Sequence, residues 1–155
     1  MSEILYASSL SAAHRQEVEE ILFFNANQGR TSETVAFVAE RYGLPRVMVD
    51  EERLRVELAS AVEAQTLFAI LREGGRDRPV GVVVYTREDD AFVVLFVAVH
   101  EEFSSRGARA GRKVLLHMTN EVKAIARRVK GVDALLVYLG RTTPTRIRVS
   151  RGPTP

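Results

Sequence analysis

Nine consecutive apolar residues, AFVVLFVAV at 91–99, break the periodicity that the rest of the chain keeps. The run is too short to cross a membrane. Five of the nine are Val or Leu and two are Phe, which reads as a strand buried on both faces. A polar turn, an Arg/Gly/Ala segment and a long amphipathic helix over 110–129 follow it. The helix places Leu115, Met118, Val122, Ile125 and Val129 at spacings of three and four, and Gly131 ends it. VDALLVYL at 132–139 reads as a further buried strand. Upstream, 66–71 and 80–86 read as strands flanking the polar turn GGRDR, a hairpin, and Asp89-Asp90 turns the chain into 91–99. Residues 4–8 read as an edge strand.

The remaining periodic stretches predict helices. Val18, Ile21, Leu22 and Phe24 form a helical stripe over 12–27, broken by Gly29. A second helix starts at Ser32 as N-cap, runs through Val35, Val38 and Tyr42, and stops at Gly43 before Pro45. Asp50 is placed to cap a third, with Leu54, Leu58 and Ala61 on one face. A strand–helix–strand order at 91–139 requires a crossover, which favours a parallel pair. The short turns before it favour antiparallel pairing. The chain therefore reads as α/β with a mixed sheet. Residues 1–139 form one domain, and 140–155 form a C-terminal strand or tail completing it. RIRV at 146–149 alternates as a half-buried strand would. A strand there, or the second subunit of a homodimer, would cover the open edge of 132–139.

Charge adds a partner class. Residues 1–65 hold eleven acids and six bases, whereas 66–155 hold nine acids and sixteen bases. A basic second half favours an anionic partner. The loop between the buried strand and the helix is the place for one, because helix N-terminal N–H groups and Arg106, Arg109 and Arg112 converge there. The absence of cysteine removes thiolate chemistry. His14, His100 and His117 lack metal-ligand spacing, so no metal is assigned. No Gly-x-x-x-x-Gly-Lys-Ser/Thr run argues for a P-loop. Nucleic-acid binding through Arg127, Arg128, Lys130, Arg141, Arg146, Arg148 and Arg151 rests on charge alone and ranks last. The N-terminus has no apolar stretch of signal-peptide length and no run reaches membrane length, so the expected location is cytoplasmic.

Three segments resemble the GNAT superfamily of N-acetyltransferases. Leu67-Phe68-Ala69-Ile70 with Arg78-Pro79-Val80-Gly81-Val82 is similar to that family's second and third strands. Phe96-Val97-Ala98-Val99 with His100-Glu101-Glu102-Phe103 is similar to its fourth strand and the Val-x-Pro-Glu-Tyr sequence after it. Arg106-Gly107-Ala108-Arg109-Ala110-Gly111-Arg112-Lys113-Val114-Leu115 resembles its acetyl-CoA pyrophosphate loop. Aligned on Arg106 and Gly111, Arg109 takes the place of the first motif glycine and 99–111 is about two residues longer than the family spacing; aligned on Gly107, the spacing is kept up to the loop but the helix is displaced. Past 139, GRTTPTRIRVSRGPTP does not resemble the family's helix bearing Asn and the Tyr that often protonates the leaving thiolate.

The resemblance implies N-terminal helices, a central mixed sheet and a long helix after the fourth strand. It implies an acyl-CoA-dependent N-acyltransferase that takes acetyl-CoA as cosubstrate and an amine as acceptor. The alternative is a non-catalytic ligand-binding or protein-interaction module of the same fold. Val97, Ala98 and Val99 would offer backbone groups to the pantetheine arm. Arg106, Gly107, Ala108, Arg109, Ala110, Gly111 and Arg112 would hold the pyrophosphate. The catalytic residues are not identified by the sequence. Glu101, Glu102 and Tyr138 are the candidates, with His100, Asp89 and Asp90 behind them, and for each the reading as a surface or packing residue is the favoured one.

Overall fold

The computed structural model describes residues 2–23, 39–58, 63–104, 107–138 and 143–149. Its strands are β1 (Ser2–Ala7), β2 (Leu10–Ser11), β3 (Pro45–Asp50), β4 (Arg53–Leu58), β5 (Gln65–Glu73), β6 (Arg76–Glu88), β7 (Ala91–Val99), β8 (Ala134–Val137) and β9 (Thr145–Arg148). Helix α1 spans Arg15–Phe23 and α2 spans Val114–Arg128. Six strands form one sheet in the order β1-β5-β6-β7-β8-β9, and β2-β4-β3 form a small second sheet. All neighbours in the large sheet are antiparallel except β7 and β8, which are parallel. The mixed sheet and the long helix after its fourth strand from the β1 edge match the expectation.

The inner strands are apolar without interruption because both faces of the large sheet are covered. On β5, Phe68 and Ile70 face one core with Val18, Ile21 and Leu22 of α1 and Leu54, Val56 and Leu58 of β4. Leu67, Ala69 and Leu71 face the other, with Val114, Met118, Val122 and Ala126 of α2. The alternation is the period-two pleat. Each fully buried Leu, Val or Phe removed from water stabilises the fold by about 1.5–3 kcal/mol. Gly81 brings α2 onto the sheet, since a Cβ there would lie 2.8 Å from Met118 Sδ.

Two bulges interrupt this regularity. Ala69 pairs with Gly81 and Ile70 with Pro79, which leaves Val80 unopposed. A central strand tolerates Pro79 because a bulge needs no N–H at that point. The second bulge lies on β7. Val84 pairs with Phe96 and Tyr85 with Val94, so Leu95 has no counterpart. Leu95 and Phe96 accordingly face the same core in succession.

The third predicted helix is a β-hairpin. Leu54 and Leu58 are four apart, which fits a helix and a strand equally, but Val56 is also buried. Side chains two apart on a helix point about 200° away from each other, whereas a strand puts 54, 56 and 58 on one face. Arg53 and Arg55 alternate outward, and Arg55 meets Glu57 at 2.6 Å. Asp50 closes the register opposite Arg53 and caps no helix; Ala61 lies outside the described residues.

Other boundaries shift. The first helix begins as a 3-10 turn at Ala12–His14, and its predicted end with Phe24, Asn27 and Gly29 lies outside the described residues. Of the second helix only 39–42 is described. Its end is as expected, with the Gly43 N–H donating to Ala39 O at 2.8 Å. The long helix starts at Val114 because Lys113 adopts a left-handed conformation, φ 51°. In the GGRDR segment only Gly74-Gly75 turn, and Arg76-Asp77-Arg78 belong to β6. The predicted tail strand is β9, antiparallel to β8 along all four of its residues, which covers the β8 edge within the chain. No helix among the described residues is long and apolar enough to cross a membrane.

The β3–β4 turn is Glu51-Glu52, both at positive φ (50° and 65°). A left-handed conformation is costly for a side chain bearing a Cβ, and Asn-Gly is the favoured pair for such a turn. Replacing Glu51 with Asn and Glu52 with Gly is expected to raise stability by about 1 kcal/mol. Urea unfolding measures it, and an unchanged midpoint would show that neither residue is strained.

Candidate functional site

The parallel ladder between β7 and β8 pairs Ala91 with Ala134 through Val94 with Val137 and stops there. The next residue of β7 is Leu95, the bulge. The bulge bends β7 as β8 ends, so residues 95–98 have no β8 partner. Val97 and Ala98 therefore lie on a strand margin whose backbone β8 does not use, and Val99 ends the strand. Val97 is half-buried, whereas Ala98 and Val99 are buried.

The chain then makes a tight connection to α2. The His100 N–H donates to Val80 O, the unopposed residue of β6, at 2.8 Å. His100 Nδ1 accepts from the Glu102 N–H at 3.1 Å and so caps the 3-10 turn Glu101–Phe103. His100 thus acts as a cap. Gly107 lies so close to this turn that a Cβ would overlap the backbone carbonyls of Glu101 and Glu102. Its glycine is required by the fold. Gly111, in contrast, faces open space, with nothing near a Cβ position.

Arg109 and Arg112 are both engaged within the protein, on Glu73 and Ser2, which stand opposite each other on β5 and β1. Arg106 lies outside the described residues. Arg112 donates to Ser2 Oγ at 2.7 Å and makes no ion pair among the described residues. Arg109 is held by carboxylates. Its Nε lies 2.9 Å from Glu102 Oε1, and its NH2 donates to Glu73 Oε1 at 3.1 Å. Its NH1 lies 3.0 Å from Glu73 Oε2 but out of line for a hydrogen bond. Its guanidinium also sits 5.8 Å over the ring of buried Phe103, and Arg78 supports Glu102 from the other side at 2.8 Å. The loop amides are similarly engaged. Gly107, Arg109, Ala110, Arg112 and Lys113 donate to carbonyls of Ser104, Glu102, Gly107, Arg109 and Ala110. At the N-terminus of α2, the residue before Val114 offers no side-chain cap.

Sequence reading missed Glu73. It lies thirty-six residues before Arg109, and only the β5–β6 hairpin brings them together. The signal available was the acid beside the Gly74-Gly75 turn. Of the candidate acid–base groups, Glu102 is held below the usual carboxylate range, chiefly by the Arg78 hydrogen bond, which makes it a poor base. Glu101 is exposed beside the end of β7. Tyr138 is half-buried just past β8, against the α1-side core. Asp89 turns the chain at φ 53°, and Asp90 pairs with Arg146 at 3.2 Å. On that same core, the buried Tyr42 donates to Glu88 at 2.6 Å. Burial, reinforced by that bond, pushes its pKa up.

A separate concavity of about 510 Å³ lies between β4 and the start of β5. Its arginines are engaged within the protein, Arg53 with Ser9 at 2.9 Å and Arg55 with Glu57 at 2.6 Å.

No protein-family model matches the sequence, and no curated protein does. Solved structures that resemble the chain include an IAA acetyltransferase from Bacillus cereus ATCC 14579, with 16% identity and a TM-score of 0.40 over 87% of this chain and 65% of that one. A tandem GNAT protein from the clavulanic acid biosynthesis pathway is 16% identical, with a TM-score of 0.45 over 88% of this chain and 37% of that one. A chain described as an acetyltransferase of the GNAT family, from Desulfovibrio desulfuricans, is 17% identical, with a TM-score of 0.40 over 88% and 72%. The chain spans less than two thirds of the length of the first two.

The Glu102 pairing has a sign in pH. A carboxyl held below its unfolded value stabilises the fold above that value, and the contribution is lost as pH falls through the folded one. Stability is therefore expected to fall as pH drops below about 4.3. Glu102→Gln should be less stable than the parent at neutral pH and lose less on acidification. Urea midpoints across the acid range measure it, and identical pH slopes would exclude Glu102 as a contributor.

Proposed function

We propose that the chain binds an acyl-CoA thioester in the gap that opens between β7 and β8, and transfers the acyl group, acetyl in the simplest case, to an amine. The observation that carries the reading is the parallel ladder that stops at Val94, one residue before the β7 bulge. An extended ligand with its own amide groups, as the pantetheine arm is, can use a strand margin that no described strand pairs with. Val97 and Ala98 lie on that margin. Apolar side chains suffice there, because the backbone would make the bonds.

The diphosphate belongs at the start of α2. Helix N-terminal amides favour an anion, and Arg112 and Lys113 are cations with no ion pair among the described residues. The open space at Gly111 leaves room for close approach. In the reaction the neutral amine attacks the thioester carbonyl carbon. A C–N bond forms, the C–S bond breaks, and the CoA thiolate leaves and takes a proton. Positioning supplies most of the acceleration. Glu101 is the carboxylate left for accepting the amine proton, and Tyr138 the hydroxyl for protonating the thiolate; both assignments belong to this proposal.

A second reading, a ligand-binding module of the same fold without catalysis, is favoured by one observation. Arg109, in the loop where a phosphate would be expected, already has its charge met by Glu73 and Glu102.

Calorimetry with acetyl-CoA, followed by thiol release over a panel of amines, separates the readings. Binding with thiol release is the expected result. Binding without release for any amine establishes the module, and no heat at millimolar acetyl-CoA rules out both the enzyme and an acyl-CoA module. Reversing charge at Arg112 together with Lys113 is expected to weaken binding by about 1–3 kcal/mol.

A further inference from the structure

We infer that Glu73 and Glu102 act as an internal substitute for an anionic ligand at Arg109, so that Glu73 sets how tightly the loop before α2 holds a diphosphate. The inference rests on the acyl-CoA reading and adds the regulation of that site.

The geometry is that of an occupied anion site. Three carboxylate oxygens surround one guanidinium: Glu102 Oε1 at 2.9 Å from Nε, Glu73 Oε2 at 3.0 Å from NH1 and Glu73 Oε1 at 3.1 Å from NH2. Guanidinium recognises carboxylate and phosphate through the same planar fork of donors, so a phosphate and these carboxylates compete for the same N–H groups. The two acids are not equivalent. Glu102 is also bound by Arg78 and lies in the turn that Gly107 packs against, so it is built into the loop. Glu73 is the last residue of β5, beside the hairpin tip, and its side chain is 45% exposed. Its carboxyl is held below the usual range by Arg109. It is the partner that can leave.

Arg109 is in turn set to change partners without losing its place. Phe103 supports its guanidinium, and its backbone N–H is bonded to Glu102 O at 2.7 Å. Its NH1 already lacks an aligned acceptor, although the atom is shielded from water. A guanidinium donor out of line with its carboxylate is one that a better-placed oxygen can take.

The test is a set of affinities for CoA and, separately, for inorganic tripolyphosphate. Glu73→Gln is expected to tighten binding of both by about two- to fivefold, the range of an exposed ion pair. Glu3→Gln removes the same charge from the neighbouring edge strand without touching Arg109, and it is expected to change affinity by much less. Arg109→Gln should weaken binding several-fold more in the Glu73→Gln background than in the parent chain. A purely structural contact would not tighten binding when removed. Equal effects of Glu73→Gln and Glu3→Gln, or an Arg109→Gln effect that is the same in both backgrounds, would overturn the inference. The two readings fail separately. If the parent chain ignores CoA but Glu73→Gln tightens tripolyphosphate, the acyl-CoA reading falls and the internal substitute stands. If CoA binds and Glu73→Gln changes neither affinity, the reverse holds.

Discussion

Strand β7 is buried on both faces, so its backbone polar groups can be satisfied only along its two edges. Most of the molecule follows from that constraint. β6 serves one edge over nearly the full length of β7, and β8 serves the other for four residues only. An apolar strand of this kind cannot turn its free edge to water by exposing a polar face, because both faces are core. The bulge at Leu95 falls where the β8 ladder ends, one residue past Val94.

The same need for satisfied backbone governs the connection that follows. His100 bonds back to the unopposed Val80, Gly107 packs against the Glu101-Glu102 backbone, and the loop amides bond within the loop. Among the described residues of this connection, Arg109 reaches across to Glu73 on the β5–β6 hairpin. Within the basic segment Arg109 is paired with carboxylates, whereas Arg112 and Lys113, nearest the helix terminus, make no ion pair among the described residues. Exposed ion pairs of this kind contribute little to stability, so their importance lies in which donors they leave available.

Period and composition were enough to identify the central strands, the crossover helix and the parallel pair, because burial on two faces leaves an unbroken apolar run and burial on one helical face leaves a 3.6 period. The tail strand was legible for the same reason, from the alternation of Arg146, Ile147, Arg148 and Val149. The stretch 45–58 was not, since Leu54 and Leu58 satisfy both periods and the deciding fact, the burial of Val56 against the large sheet, is tertiary. The bulge at Leu95 had no local signature either. It depends on how many residues of β6 stand opposite β7.

The site divides along the same line. By itself the sequence determined that a strand, a basic glycine-containing loop and a helix would adjoin, and that Arg109 stands where the resembled loop has glycine. Only the tertiary structure decided what Arg109 does. Its partner Glu73 is thirty-six positions away and arrives because the β5–β6 hairpin folds over the loop. Local order in a chain fixes which groups are present and roughly how they are spaced. Which charge meets which carboxylate is set by strand register and hairpin length, and those depend on the packing of the whole sheet.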